Sequence, residues 1–515
     1  MKTILKPKYI NDTALDILRR EGVFLCADCG GHGTCGKCRI RVPECAIAQE
    51  TEGDAGRCMP EPSEAESKLL SKTELDSGIR LACCFKVGEM PGVQDGTEEG
   101  IEVEIPESSL IRDTFDSAAI TKPEHLKPAE IIAVDYGTTV ITGALVDLNL
   151  GVVNEAAVVN HQKSYGADVI SRIRAANDGY HEELRHVSED DLADLTVRLG
   201  RDPDMARYII SGNTVMGHLV SGFSCRGLGE FPYSPVDISL RRDGNITFLP
   251  GISAFVGADI VSGICACSLD QAPDPWLYVD IGTNGEMAIG TGTKILAASA
   301  PAGPAFEGGG LSCGVPAIPG AVSGLVLAGS KSIPTVIEGS SYDAYGTDGG
   351  SQAPCGICGS GIVDLIAELL KNRLIDENGT LVDEFEEEGF VIAGDVLVTQ
   401  KDIREIQKAK AAIRAGIEVL IEESGSKYED IKKLVLAGSF GSSINMENAA
   451  RIGLVPEELL PVSATAGNSS LTGATLYALD TGFGARLKKV AEEADTVDLA
   501  QAPGFGTRYI RYMGF

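Results

Sequence analysis

Eight of the fourteen cysteines lie in the first 84 residues: Cys26, Cys29, Cys35, Cys38, Cys45, Cys58, Cys83 and Cys84. The centre of this group reads Cys29-Gly-Gly-His-Gly-Thr-Cys35-Gly-Lys-Cys38, and Arg80-Leu-Ala-Cys83 follows downstream. In a reducing compartment, thiols so crowded serve metal or redox chemistry more often than disulfides. Iron held by thiolates in a two-iron cluster needs four converging sulfurs. The spacing C-x5-C-x2-C with a distant fourth cysteine is one residue longer than the plant-type C-x4-C-x2-C…C pattern. Gly30, Gly31, Gly33 and Gly36 allow the tight turns that aim backbone amides at sulfur. Other readings stay open at this point. A secreted, disulfide-stapled module would need a leader, and the opening MKTILKPKYI has no apolar core. A four-thiolate zinc site on Cys26, Cys29, Cys35 and Cys38 would leave the Arg-Leu-Ala-Cys run unexplained.

Neighbouring features read as structure. Gly31–Gly36 satisfies G-x-G-x-x-G, but the next residues, Arg39-Ile-Arg-Val42, read as a strand, whereas the dinucleotide fingerprint opens a helix. His32 reads as an exposed loop residue, and Cys45 and Cys58 as unliganded. Cys355-Gly-Ile-Cys358 precedes a helix with no thioredoxin-like context and reads as packing.

A second chemistry is written further along. Asp135-Tyr-Gly-Thr-Thr139 sits on a turn between two apolar runs, where backbone amides and the Thr138 and Thr139 hydroxyls can wrap a phosphate oxygen and Gly137 permits close approach. A carboxylate beside phosphate implies an intervening cation, Mg²⁺ with its waters. Asp280-Ile-Gly-Thr-Asn-Gly-Glu286 repeats the arrangement with Gly282, Thr283, Asn284 and Gly285. Leu436-Ala-Gly-Ser-Phe-Gly441 then ends a strand in Gly438 and Gly441, where a nucleoside can pass close to the backbone. One such turn alone is equally an ordinary hairpin; three in this order suggest a polyphosphate clamped between two lobes.

Elements must place these groups. Ile131–Val146 and Leu277–Ile289 read as two copies of strand, Gly-Thr turn and strand, with Asp135 and Asp280 about 145 residues apart. The division by sequence is a cysteine-rich unit over 1–106, a linker over 107–129, and an α/β body over 130–515 with lobes of about 130–270 and 271–515. Ile101–Ile105 alternates as an edge strand would. Ser188-Glu-Asp-Asp191 predicts a capping box opening a helix to about Leu199. Thr399-Gln-Lys-Asp402 predicts a longer helix with Ile403, Ile406, Ala409, Ile413, Ile417, Leu420 and Ile421 on one face, stopping at Gly425. A net charge of −30 argues against a nucleic-acid partner. No apolar run reaches the length of a membrane span, so a cytoplasmic protein is expected.

The cysteine motif resembles the [2Fe–2S] domain of adrenodoxin-like and corrinoid-activator ferredoxins. That resemblance implies an α+β, β-grasp domain with Cys29, Cys35, Cys38 and Cys83 as ligands, although Cys84 competes for the fourth place and the opening strand is short for a β-grasp hairpin. The order of phosphate turns resembles the actin, Hsp70 and sugar-kinase superfamily (ASKHA; RNase H-like lobes), which implies ATP, Mg²⁺ and catalytic roles for Asp135 and Asp280. Asp259, in Gly257-Ala-Asp259, and Glu286 are further candidates for positioning water. The stretches 160–173, 211–219, 300–314, 356–366 and 400–417 look like the ATPase body of reductive activators of corrinoid-dependent methyltransferase systems; Gly303 joins the nucleotide candidates through the third of these.

Members of that family reduce an inactive Co(II) corrinoid protein to Co(I), drawing electrons from a low-potential donor. A plant-type cluster near about −400 mV makes this step uphill. Stabilising one conformation by about 4 kcal/mol on nucleotide binding would shift the equilibrium roughly a thousandfold, or about 180 mV. A separate middle domain found in some members is expected to be missing here, which leaves pairing into a homodimer open. The alternative from another class is a small-molecule kinase of the sugar-kinase superfamily with an accessory iron–sulfur domain.

Overall fold

A computed structural model describes residues 1–9, 11–42, 59–90, 100–111, 131–329, 331–337, 354–438 and 444–515. Packing divides the chain into two units. The first comprises Met1–Asp113 with Val159–Asp191 and Ser224–Gly229; the second comprises Thr114–Val158, Leu192–Phe223 and Glu230–Phe515. The first unit therefore includes two segments that the division by sequence assigned to the first ATPase lobe. The expected linker lies outside the described residues from 112 on. Its first residues are packed: Leu110 bridges Leu25, and the Ile111 amide donates to the Phe24 carbonyl at 3.0 Å.

In the first unit a four-stranded sheet runs in the order Lys2–Leu5, Ile101–Glu104, Arg39–Arg41, Ile79–Leu81. Helix Ala14–Arg20 opens at Thr13, whose hydroxyl accepts from the Asp16 amide while the Asp16 carboxylate answers the Thr13 amide. Leu15, Ile17 and Leu18 on that helix share one core with Leu5, Ile40, Leu81, Ile101 and Val103 of the sheet. The strand Ile101–Glu104 is interior, not an edge as its pattern suggested. Its alternation buries Ile101 and Val103 and exposes Glu102 and Glu104, which marks a sheet with one wet face rather than a strand with one free side. The run Arg39–Arg41 is a strand, as read, so the adjacent G-x-G-x-x-G opens no helix.

The body rests on two six-stranded sheets built to one plan. In each, a strand ending near an aspartate pairs antiparallel with the strand after its turn and parallel with a later strand on its other side. These are Ile131–Tyr136 with Val140–Asp147 and Arg207–Gly212, and Trp276–Ile281 with Gly285–Gly290 and Lys433–Ala437. The repeat read from the two turns is thus a repeat of topology, giving the two-lobed fold of the actin, Hsp70 and sugar-kinase class.

One apolar cluster spans the two sheets. It contains Ala133 and Ile209 from the first, Tyr278 and Val435 from the second, and Ile260, Ile264, Leu471 and Ala474 from the helices Ala258–Ala266 and Ser469–Leu479. Those helices cross at glycines. A Cβ on Gly473 would lie 2.7 Å from the Ser262 carbonyl oxygen, and one on Gly263 would lie 2.0 Å from the Tyr278 hydroxyl.

Two helix readings fared differently. Helix Gln400–Glu423 has the Thr399–Asp402 capping box, and every residue named above on its apolar face is buried. The predicted start at Ser188 does not exist, because one helix runs His181–Arg198. Ser188 is spent instead on the Leu184 carbonyl at 3.0 Å and on the Gln162 amide at 2.7 Å, while Asp191 accepts from His161. Among the described residues no helix is long and apolar enough to cross a membrane. The Gly473 crossing yields a direct expectation. Gly473→Ala forces Ser262 backbone to move and lowers stability by about 1–3 kcal/mol, readable as a lower melting temperature, whereas the same change at solvent-open Gly506 leaves it within about 0.5 kcal/mol.

Candidate functional site

The cysteine loop is shaped by backbone that only glycine adopts readily: Gly30, Gly31, Gly33 and Gly36 have φ of +68°, +106°, +67° and +69°. Space is short as well, since a Cβ on Gly33 would approach the Cys84 sulfur to 3.2 Å. The sulfurs come together in pairs. Cys29 is hydrogen-bonded to Cys35, and Cys38 to Cys83. The Cys35 thiol and the backbone amides of Thr34, Gly31 and Cys35 draw the Cys29 thiol down to about 3, against the opposing effect of burial. The Lys37 amide faces Cys35, whose thiol is raised by its bond to Cys29. Cys83 faces Cys38 with both thiol and amide and holds it low. Cys84 lies 3.7 Å from the Cys83 sulfur and is drawn to about 7 by Cys83, with Ser63 assisting.

The Arg-Leu-Ala-Cys run owes its position to its arginine. Arg80 donates twice to the buried Glu66, from Nε and from Nη2, each at 2.9 Å. Glu66 also accepts the Leu81 amide at 3.0 Å. Cys26 points elsewhere, to the Leu110 carbonyl at 3.7 Å. Among the described residues no three His, Cys, Asp or Glu side chains converge as a site for one metal ion. That counts against a four-thiolate zinc site. It is compatible with a two-iron cluster, in which each iron takes only two thiolates. His32 is exposed, as read; Cys45 and Cys58 lie outside the described residues.

The phosphate turns meet in a cleft within the second unit. Asp135, Gly137, Thr138, Thr139, Asp259, Asp280, Gly282, Thr283, Asn284, Glu286 and Gly438 all line it. Gly438, at φ +115°, runs so close to Asp280 that a Cβ there would lie 3.2 Å from its carboxylate. Gly441 lies outside the described residues. Two candidates have other duties. A Cβ on Gly285 would strike the Ile413 side chain at 2.6 Å, so this glycine lets the long helix approach the sheet. Gly303 flanks the single turn Pro304–Glu307 and, unlike Phe306 and Glu307 of that turn, is not among the lining residues.

Among the described residues five carboxylates line the cleft: Asp135, Asp259, Asp280, Glu286 and Glu307. Asp280 is pushed up to about 8 by burial and then by the charges of Asp259, Asp135 and Glu307, with Tyr278 opposing. Asp259 is pushed up to about 7 by burial and by Asp135. Burial also raises Asp135, although Ser470 and Asn468 donate to it at 2.7 and 2.8 Å. Glu286 is raised by burial and by Asp259 and Asp280.

Residues missed in the sequence hold this group in place. Asn468 caps helix Ser469–Leu479 with its oxygen and donates to Asp135 with its nitrogen. Asn213 does the same for helix Thr214–Ser221 and donates to Thr138 at 3.0 Å. The signal was present: Gly212-Asn213-Thr214 and Gly467-Asn468-Ser469 repeat one motif at two strand ends. Glu307, which accepts from Thr139 at 2.9 Å and Thr283 at 2.5 Å, had no such signal.

The raised carboxyls fix a sign. At these carboxyls the folded, cation-free state holds more protons than the unfolded chain between roughly pH 4 and 8, so their contribution to stability falls as pH rises across that window and is lost above about 8. Thermal melts from pH 5.5 to 8.5 without magnesium should show this decline. Magnesium with nucleotide should flatten it, and Asp280→Asn should melt above the unaltered protein at pH 8.5.

Comparison with known proteins agrees with this geometry. Residues 274–515 match the family described as the C-terminal domain of RACo, the ASKHA domain, and residues 131–272 match the RACo middle region. The second match overturns the expectation that a middle region is missing: the stretch is present and forms the first six-stranded sheet. Corrinoid activation enzyme RamQ of Eubacterium limosum is 30% identical over 96% of this chain and 95% of its own length. The [Co(II) methylated amine-specific corrinoid protein] reductase of Methanosarcina barkeri is 29% identical over 74% of this chain and 76% of its own. A solved structure, reductive activator for corrinoid,iron-sulfur protein, has the same fold, with a TM-score of 0.68 and 24% identity over 100% of this chain and 98% of that one. With two lobes of ASKHA topology, one cleft lined by both Asp–Gly–Thr turns and a relative matched along nearly its whole length, the chain belongs to the RACo-like family of corrinoid activators.

Proposed function

We propose that this protein is an ATP-dependent reductive activator of a corrinoid protein in a methyltransferase system, passing an electron to Co(II) through a [2Fe–2S] cluster on Cys29, Cys35, Cys38 and Cys83. The observation that carries the cluster assignment is the sorting of these sulfurs into two pairs faced by backbone amides. Thiolates held down by amides and neighbouring thiols are ready ligands. Cys83 is preferred over Cys84 because its thiol and amide both face Cys38. The helix packed on a four-stranded sheet and the loop leading into strand Arg39–Arg41 support a β-grasp ferredoxin-like unit. When bound, the cluster supplies a one-electron relay; the protein's part is to hold it, shield it and tune it.

In the cleft, Thr138, Thr139 and Thr283, with the turn at Gly137, would receive phosphate oxygens. Asp135 and Asp280 would hold Mg²⁺ through its waters. Asn468 and Ser470 keep Asp135 oriented. Asp259, with a carboxyl near 7, suits the task of taking a proton from the attacking water. Gly438, beside Asp280, would let the nucleoside pass. The partner is a corrinoid protein and the electron source a low-potential donor; the acidic chain, at −30, suits neither nucleic acid nor an anionic membrane surface. A cytoplasmic location fits the free thiols, and a homodimer remains part of the proposal.

The test is spectroscopic. Anaerobically purified protein should carry two irons per chain and give, on one-electron reduction, the paramagnetic signal of a two-iron cluster. Cys29→Ser, Cys35→Ser and Cys38→Ser should lose or distort it, Cys83→Ser more than Cys84→Ser, while Cys26→Ser leaves it intact. Iron-free protein with full corrinoid-reducing activity would contradict the proposal.

A further inference from the structure

Thr139 belongs to the first phosphate turn and Thr283 to the second, yet both hydroxyls donate to one atom, Glu307 Oε2, at 2.9 and 2.5 Å. The other carboxylate oxygen faces Gly282, where a Cβ would lie 3.3 Å away. Glu307 is no dangling surface group. It ends the single turn Pro304–Glu307, which is anchored by buried Ala305 and Phe306 and closed by Gly308 at φ +78°. Its charge also reaches Asp135 and Asp280.

A threonine hydroxyl has one proton. While it is given to a carboxylate it cannot be given to a phosphate oxygen. Nor can a carboxylate and a phosphate, both anionic, share a partly desolvated cradle without strong repulsion. We infer that Glu307 is an internal substitute for phosphate: it ties the two turns together when no nucleotide is bound and must be displaced for nucleotide to enter. This rests on reading the cleft as a nucleotide site and adds a residue that sets its affinity. Because Glu307 lies on the 300–314 segment rather than on either turn, its displacement also makes that segment report occupancy of the cleft.

The test compares the intact cluster-bearing protein with Glu307→Gln and Glu307→Ala, using Mg·ADP and Mg·ATP as calorimetric ligands. Both variants should bind nucleotide more tightly, by about tenfold for alanine. Their melting temperatures without nucleotide should fall, while those at saturating Mg·ADP should equal that of the unaltered protein, because nucleotide has already displaced the carboxylate there. A merely structural glutamate would lower both melting temperatures alike and leave affinity unchanged or weaker, which overturns the inference. So would unchanged affinity with a reduced turnover rate, which would make Glu307 a base for the attacking water. Failure of the unaltered protein to bind either nucleotide would instead remove the reading of the cleft, and this inference with it.

Discussion

Mutual repulsion of half-buried carboxylates is the constraint on which the body of this protein turns. Asp135, Asp259, Asp280 and Glu286 come from strands and a helix of both lobes, and each raises or is raised by another. Such a group is unfavourable unless protons or a cation compensate. The fold keeps it together with polar props, Asn468, Ser470 and Tyr278, and with glycine crossings that leave the lobes close. A divalent cation with a polyphosphate relieves the repulsion at one stroke. On the proposed reading of the cleft, nucleotide state would bias lobe geometry, which is what an activator needs if hydrolysis is to drive an uphill electron transfer.

The cysteine unit follows a different logic. There the backbone does the electrostatic work: left-handed glycines turn amides toward sulfur, and a buried arginine–glutamate pair fixes the run that carries Cys83. Buried pairs of this sort add little net stability but are costly to break. Arg80 is thus better understood as a locator for Cys83 than as a source of binding energy.

Much of this was legible in the sequence because it depends on short-range pattern. Strand–turn–strand repeats announce themselves through Asp, Gly and Thr at fixed spacing, and the glycines of the cysteine loop are required by local φ values. The helix Gln400–Glu423 was visible in its cap and its period. What escaped depended on long-range partners. Ser188 looked like a cap but was claimed by Gln162 and the Leu184 carbonyl. Ile101–Glu104 could not reveal which neighbours it had. Glu307 carries no local signature, since its role exists only once two turns 144 residues apart, at Thr139 and Thr283, are brought to one atom. The middle region has no separate signature, because residues 131–272 form one lobe of the body itself.

On the proposed function, nucleotide turnover in the cleft and electron delivery from the cysteine unit are one coupled process. A single-turnover experiment addresses it most directly: protein reduced beforehand is mixed anaerobically with a Co(II) corrinoid protein while cobalt and protein absorbance are followed together. Coupling requires Co(I) to appear at the rate the protein is reoxidised, and only when Mg·ATP is present. Co(I) formed at the same rate and to the same extent without ATP would contradict it.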